Sequence, residues 1–562
     1  MVKGNIYLQE QFPVRGYQSS VDIRLNFGLG KITTIDSLEV IWPNDSYQVM
    51  KNLAVNKTIL LKEANARGNY GYVKPLAPSL IESSEINTIQ HRENQFNDFN
   101  IQRLLPNYLS RNGPGLAVAD INNDLLNDVF LGNAKGSVSK LFYQSANGSF
   151  NLSPTKIFTK DSSSEVTASC FFDADGDGDM DLYVAHGGYE FAENDPLFQD
   201  KLYINNGRGD FAERLLPALL FSKSCIKPAD LDGDGDQDLF VGGRLVPGKY
   251  PLPAPSRILL NDGKGNFTDN TKAIAPFFET LGMVTDAAWV DLNHDQRKEL
   301  VVVGEWMPIK VYAFTNNRLL DVSDKYIHFA SSGWWNTIAM DDMDNDGDDD
   351  LVLGNTGTNT QFHASAKEPM TEIFSDYDKN GSIDPILFYY IQGVNCPAFS
   401  RDEMTEQIPG LKKKFLTYKS YAAAKLNDLY TKEQLAESRS LKAELMETVY
   451  LENKGNELAL HHLPLEAQYS PVYGIVVTDF NGDKKKDMLL VGNNNWTRVR
   501  FGRYASNHGV VLSGDEKGNF QYIPQTLSGL KLNGNFRSAA LLSDHKIILG
   551  ANDGKAILLK IN

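Results

Sequence analysis

Oxygen-bearing side chains at positions 1, 3, 5 and 9 of a nine-residue loop recur seven times in this 562-residue chain. The loops supply Asp120, Asn122, Asp124 and Asp128; Asp173, Asp175, Asp177 and Asp181; Asp230, Asp232, Asp234 and Asp238; Asp291, Asn293, Asp295 and Glu299; Asp342, Asp344, Asp346 and Asp350; Asp376, Asp378, Asn380 and Asp384; and Asp479, Asn481, Asp483 and Asp487. Hard oxygen donors on a short flexible loop suit a cation that takes six to eight oxygens, so calcium fits and magnesium is the runner-up. The near absence of His and Cys from these loops disfavours zinc and copper. About five to seven calcium ions are expected. Gly178, Gly235, Gly347 and Gly381 stand at position 6, where a sharp turn is needed. Leu125, Gln296 and Lys484 replace Gly there, and Lys484, Lys485 and Lys486 should weaken the last loop by charge.

Something must hold seven such loops in register. Each is preceded and followed by an apolar strand-like run, such as Leu239-Phe-Val-Gly-Gly243 or Leu351-Val-Leu-Gly354. Hairpins with Asn-Gly or Asp-Gly turns follow, as in 202–211, 258–267 and 510–520. The period of roughly 50 residues, with four antiparallel strands per unit, predicts an all-β propeller. Seven blades are expected. Eight is the alternative, because the Asp376 loop follows the Asp342 loop closely. The last unit offers about three strands, and 98–106 resembles the fourth strand at 210–217, so an early segment should complete the last blade. Such closure hides the open edges.

The domains read as a small β-domain at 1–65, with strands at 38–42 and 58–62; a linker at 66–95; and the propeller at 96–562. Helix formers at 402–447 mark a helical insertion, read as a lid or a partner-binding element.

The net charge of −16 argues against a nucleic-acid partner. No apolar run reaches the length of a membrane helix. Three cysteines give no disulfide framework, and Cys170 and Cys225 read as buried thiols. No leader is visible, and the abrupt start suggests a fragment.

The repeats resemble the FG-GAP/VCBS family, which includes the integrin α-subunit head. Arg15-Gly16, Phe27-Gly-Leu-Gly30 and Leu38-Glu-Val-Ile-Trp-Pro43 resemble the ASPIC/UnbV domain. Together they look like bacterial relatives of the cartilage acidic protein family. The resemblance implies a calcium-binding protein that is secreted or on the cell surface, with no assigned activity.

With the acidic loops at one end of each blade, the variable loops fall at the other. Tyr189, Glu190, Arg244, Tyr250, Glu305, Trp306, Trp496, Arg498 and Arg503 lie there as a candidate platform for a glycan or protein ligand. No nucleophile elbow, zincin pair or phosphate loop is present, which favours a non-enzymatic binder. The alternative is a calcium-dependent polysaccharide lyase or glycosidase using Glu190 or Glu305. Arg208-Gly209-Asp210 reads as a hairpin turn, and His91, Glu93 and Asp98 as packing groups.

Overall fold

The computed structural model describes residues 1–2, 5–12, 14–71 and 79–562. The chain divides into two compact units, Met1–Ala77 and Pro78–Asn562.

In the first unit, Thr34–Ile41 and Ser46–Ala54 pair antiparallel, and Gly68–Asn69 adds a short third strand. The segment 58–62, expected as a strand, is irregular. Its Leu60 is 80% exposed, so its alternation has no core to face within this unit.

The second unit is an all-β, propeller-like stack of four-stranded antiparallel sheets. Seven of these sheets each supply a first strand to a ring, and in all but the last that strand leads into an acidic loop. These are Leu116–Ala119, Val166–Phe172, Lys223–Ala229, Met283–Val290, Thr337–Asp341, Val472–Thr478 and Asn535–Leu541. Each touches the next, and the last touches the first. The apolar core lies between neighbouring sheets. One cluster joins Ala117 and Phe130 to Leu182 and Tyr203, and another joins Tyr183 and Leu202 to Leu239 and Leu259.

Closure uses an early segment, but not 98–106. Ile81–Gln90 pairs antiparallel with Lys555–Ile561 and completes the last sheet. Much of the stretch read as linker is therefore a strand. Asp98–Asn100 is instead a 3-10 turn, whose Asp98 accepts hydrogen bonds from the Ser110 N–H and hydroxyl at 2.9 and 2.6 Å.

The insertion is larger than the helical segment. Met370–Ser375, Asp384–Ile391, Val394–Pro397 and Arg439–Ala443 form a further four-stranded sheet. Five short helices lie between Arg401 and Glu437. The Asp376 loop belongs to this extra sheet. Ser400 and Thr431 cap two of the helices through capping boxes.

Five of the first strands share one irregularity. A single residue bulges where each strand leaves register with its neighbour: Thr167, Ser224, Thr285, Tyr473 and Arg537. Such bulges re-aim a side chain. Three of these hydroxyls stitch their sheet to the next one. Thr167 donates to the Lys223 carbonyl at 2.9 Å, Ser224 to that of Val284 at 2.7 Å, and Thr285 to that of Trp335 at 2.9 Å. Ser224→Ala removes one stitch and leaves a carbonyl to find another donor. A loss of about 1–2 kcal/mol in chemical denaturation is expected; no change would show the stitch to be idle.

Candidate metal loops and the axial cavity

All seven acidic loops fold alike. Position 4 and position 6 are both left-handed in every loop, from Asn123 and Leu125 (φ 61 and 69) to Gly482 and Lys484 (φ 79 and 68). The position 1 carboxylate holds this shape by accepting the position 6 N–H. The distances are 2.7 Å for Asp120–Leu125, 3.0 Å for Asp173–Gly178, 3.2 Å for Asp230–Gly235, 2.9 Å for Asp291–Gln296, 3.1 Å for Asp342–Gly347, and 2.8 Å for both Asp376–Gly381 and Asp479–Lys484. The departures from Gly therefore do not change the loop; they strain it.

Position 9 does something the spacing does not reveal. Its carboxylate is buried and receives the position 2 N–H, as Asp181 does from Ala174 at 2.8 Å and Asp487 from Phe480 at 3.0 Å. Its other oxygen takes an amide N–H at the end of the third strand. Gln144 gives this to Asp128, Asn205 to Asp181, Asn261 to Asp238, Asn453 to Asp350 and Gly514 to Asp487. Burial pushes the carboxyls of Asp128, Asp181 and Asp350 up to about 7, and those of Asp238 and Asp384 up to about 6.

In four loops, three carboxylate oxygens lie within 4.8 Å of one another: Asp173, Asp175 and Asp181; Asp230, Asp232 and Asp234; Asp342, Asp344 and Asp350; Asp376, Asp378 and Asp384. Each cluster could hold a metal ion. One oxygen each of Asp175 and Asp344 is buried without a hydrogen-bond partner among the described residues, which fits a hard cation. The loops at Asp120, Asp291 and Asp479 carry Asn122, Asn293 and Asn481 at position 3; like the Asp376 loop, with Asn380 at position 5, they offer three carboxylates each. Lys486 turns away to Asp341, at 2.8 Å.

The family models match this arrangement. An FG-GAP-like repeat model matches 92–184, 230–302 and 291–353, and an ASPIC and UnbV model matches 1–68. The chain is an FG-GAP-repeat protein with an ASPIC/UnbV segment. No curated protein matches this FG-GAP-repeat chain. Solved structures similar to it include YCF48 bound to D1 peptide, 10% identical, TM-score 0.37, covering 87% of this chain and 98% of that one. Another is a streptogramin B lyase, 11% identical, TM-score 0.36, with 86% and 100% covered. A third is Sqt1 from Chaetomium thermophilum, 10% identical, TM-score 0.40, with 81% and 98% covered.

At the opposite end of the sheets, the FG-GAP-repeat protein departs from the expected open platform. Tyr189, Tyr250 and Trp306 are buried in one cluster with Phe399, Met404 and Tyr421 of the insertion. The Tyr250 hydroxyl donates to Glu305 at 2.7 Å, and the Trp306 indole N–H donates to that hydroxyl at 2.7 Å. Arg244 pairs with Glu305, and Tyr189 donates to Gln102. The variable loops are thus packed by the insertion, which covers several sheets. Trp496 is half-buried beneath the Arg111 guanidinium, 3.9 Å from its ring. Arg498 pairs with Glu403 at 2.8 Å, and Arg503 alone is exposed.

Below this packing lies a cavity of about 380 Å³, lined by the bulged residues of the first strands. Arg244 and Glu305 also reach it, so two of the expected ligand residues border an internal site.

A third feature escaped the sequence: a buried carboxyl trio. Glu165 is 1% exposed, with the Lys135 backbone N–H near it and no close side-chain partner among the described residues, and it feels the charges of Glu93 and Glu190. Glu190 is held by Asn94 at 2.7 Å and Lys135 at 3.6 Å; Glu93 is held by Asn552 at 2.6 Å. No spacing motif marks Glu165. Burial pushes Glu165 well above the usual range and Glu93 from 4.5 up to about 7.

Two outcomes follow. Leu125 is 84% exposed in a left-handed turn, so Leu125→Gly should stabilise by about 0.5–1 kcal/mol in denaturant titrations; destabilisation would mean that the side chain packs after all. For Glu93, the folded state keeps a proton that the unfolded chain releases between about 4.5 and about 7. That contribution is full at low pH and is lost as pH rises through about 7. Glu93→Gln should match the parent at about pH 4 and exceed its stability at about pH 8; equal stability at both would show that Glu93 is not held protonated.

Proposed function

We propose that this chain is a calcium-stabilised, seven-bladed propeller of the secreted or cell-surface kind, acting as a non-enzymatic binder of a glycan or protein. The single observation behind the calcium reading is the fourfold clustering of three carboxylate oxygens within 4.8 Å. The seven first strands that touch in a ring support the blade count, with the sheet at Met370–Ala443 as an insertion and not an eighth blade. About five to seven of the loops would hold calcium through positions 1, 3, 5 and 9, the Asp291 and Asp479 loops being the weakest. The ion would supply the charge that offsets repulsion among these aspartates. It would also keep the position 9 carboxyl ionised, so that both its oxygens go on accepting N–H groups.

The non-enzymatic reading rests on how the acids are tied. Glu305 serves Arg244 and Tyr250, and Glu190 serves Asn94 and Lys135. Both are engaged by neighbours, which favours a binding role over general-acid or nucleophilic chemistry. Ligand contact would fall to the insertion and its neighbours Trp496, Arg498 and Arg503 at the covered end, and to the cavity behind them. Extracellular calcium modules work at about 10⁻⁴ to 10⁻³ M, which suits an exported protein. Among the described residues, no helix is long and apolar enough to cross a membrane.

Calcium at about ten times its dissociation constant adds about 1.4 kcal/mol per site. A melt with calcium should therefore run well above a melt with chelator, and Asp175→Asn with Asp344→Asn should shrink the gap. Coincident melts would remove the calcium reading. A glycan and protein array, read together with a reducing-end assay, tests the rest. Retention without new ends supports a binder, while new ends would make this an enzyme.

A further inference from the structure

The axial cavity is built unevenly. On three adjoining sheets the bulged residue is small: Thr167, Ser224 and Thr285. Each spends its hydroxyl proton on the next sheet's carbonyl. Their oxygens keep lone pairs free to accept. On two other adjoining sheets the bulged residues are Tyr473 and Arg537, and the Arg537 guanidinium lies 4.1 Å from the centre of the Tyr473 ring. The cavity is therefore open and acceptor-bearing on one side, and cationic on the other.

Arg537 carries the charge that is not matched. The Lys227 ammonium lines the same cavity but sits 2.7 Å from Asp286, and Arg244 is taken by Glu305. Arg537 spends its two terminal nitrogens on the Asn493 carbonyl, at 2.7 Å, and on the Asn494 side chain, at 3.4 Å. Its Nε is buried with no hydrogen-bond partner among the described residues, and the carboxyl whose charge it feels is Glu93. Four other groups on this cavity are also buried without a partner among the described residues: the Trp334 indole N–H, the Asn336 amide nitrogen and the hydroxyls of Ser169 and Ser538. Buried donors left unmade cost roughly 1–3 kcal/mol each, so their convergence on one space is a demand for acceptors.

We propose that this cavity binds a small, hydroxyl-rich carboxylate, of the sugar-acid class, with its carboxylate on Arg537. Only one guanidinium edge is free, which suits a monoanion better than a phosphate. The hydroxyl oxygens of Thr167, Ser224 and Thr285 then receive ligand hydroxyls, and Asn336, Ser169 and Ser538 donate to ligand oxygens. A volume near 380 Å³ is at the small end for ligand sites and admits one sugar ring with water. This deepens the binder reading by moving recognition from the outer surface to the axis.

Calorimetric titration of the whole chain with D-galacturonate, D-glucuronate, D-galactose and inorganic phosphate tests it. At least one of the two acids should bind about tenfold or more tightly than galactose and phosphate, the value of one charge-assisted hydrogen bond. Arg537→Gln should erase that preference, and Asn336→Ala should weaken the acid without erasing it. If Arg537→Gln does not fold by circular dichroism, Asn336→Ala and Ser538→Ala must each still weaken the acid. The proposal is overturned if neither acid binds at about 10 mM, if galactose binds as well, or if the variants bind like the parent. Array binding that persists in Arg537→Gln leaves the surface reading intact. Acid binding with an empty array sinks that reading and keeps this one.

Discussion

Everything in the larger unit hangs on a carboxylate that has been taken out of water at the end of each acidic loop. In five sheets that residue grips two amides at once, one from its own loop and one from the end of the third strand. It fixes where the second strand starts and how far along the third strand lies. A buried carboxylate is costly unless it is hydrogen-bonded and balanced by positive charge or a proton. Loop closure and sheet geometry thus meet in one carboxylate, and neither can vary without the other.

The loops and hairpins were legible because their chemistry is local. Asp at positions 1 and 5, a left-handed turn at 6 and an Asn-Gly pair each act within a few residues, so spacing alone exposes them. The closing strand was not. Ile81–Gln90 has Ile81, Ile86 and Ile89 among Ser, Glu, Asn and Thr, since an outermost strand needs few apolar residues. It therefore read as linker, while 98–106 drew attention by likeness to 210–217. The ligand face failed for a different reason. Tyr189, Tyr250 and Trp306 lie in loops, where aromatic residues suit a surface as well as a core. Only the distant insertion, through Phe399, Met404 and Tyr421, decides that they are covered. The acidic-loop residues stand between these cases: the clustering of carboxylates in four loops was legible, but the bracing task of position 9 needs partners that lie far along the chain.

The two ends of the sheets thus carry opposite solutions to the same problem. At the loop end, charges are gathered on exposed turns, and the apolar chain is kept to the strands. At the other end, Trp306, Trp334 and Phe362 meet edge to face and the insertion closes over them. Carboxyls there are paired with Arg or Lys, held by amides, or, like Glu165, kept protonated by burial. The bulged strands form the seam between these regimes.

Pairing Ile81–Gln90 with Lys555–Ile561 also sets a timetable. On the ribosome the earlier strand emerges more than 450 residues before its mate, a wait on the order of a minute. Until then Ile81–Gln90 has no strand to pair with, and the circle stays a horseshoe. The nascent chain must keep that raw edge from other strands, so chaperone capture or intermolecular pairing during translation is the hazard this topology carries from birth.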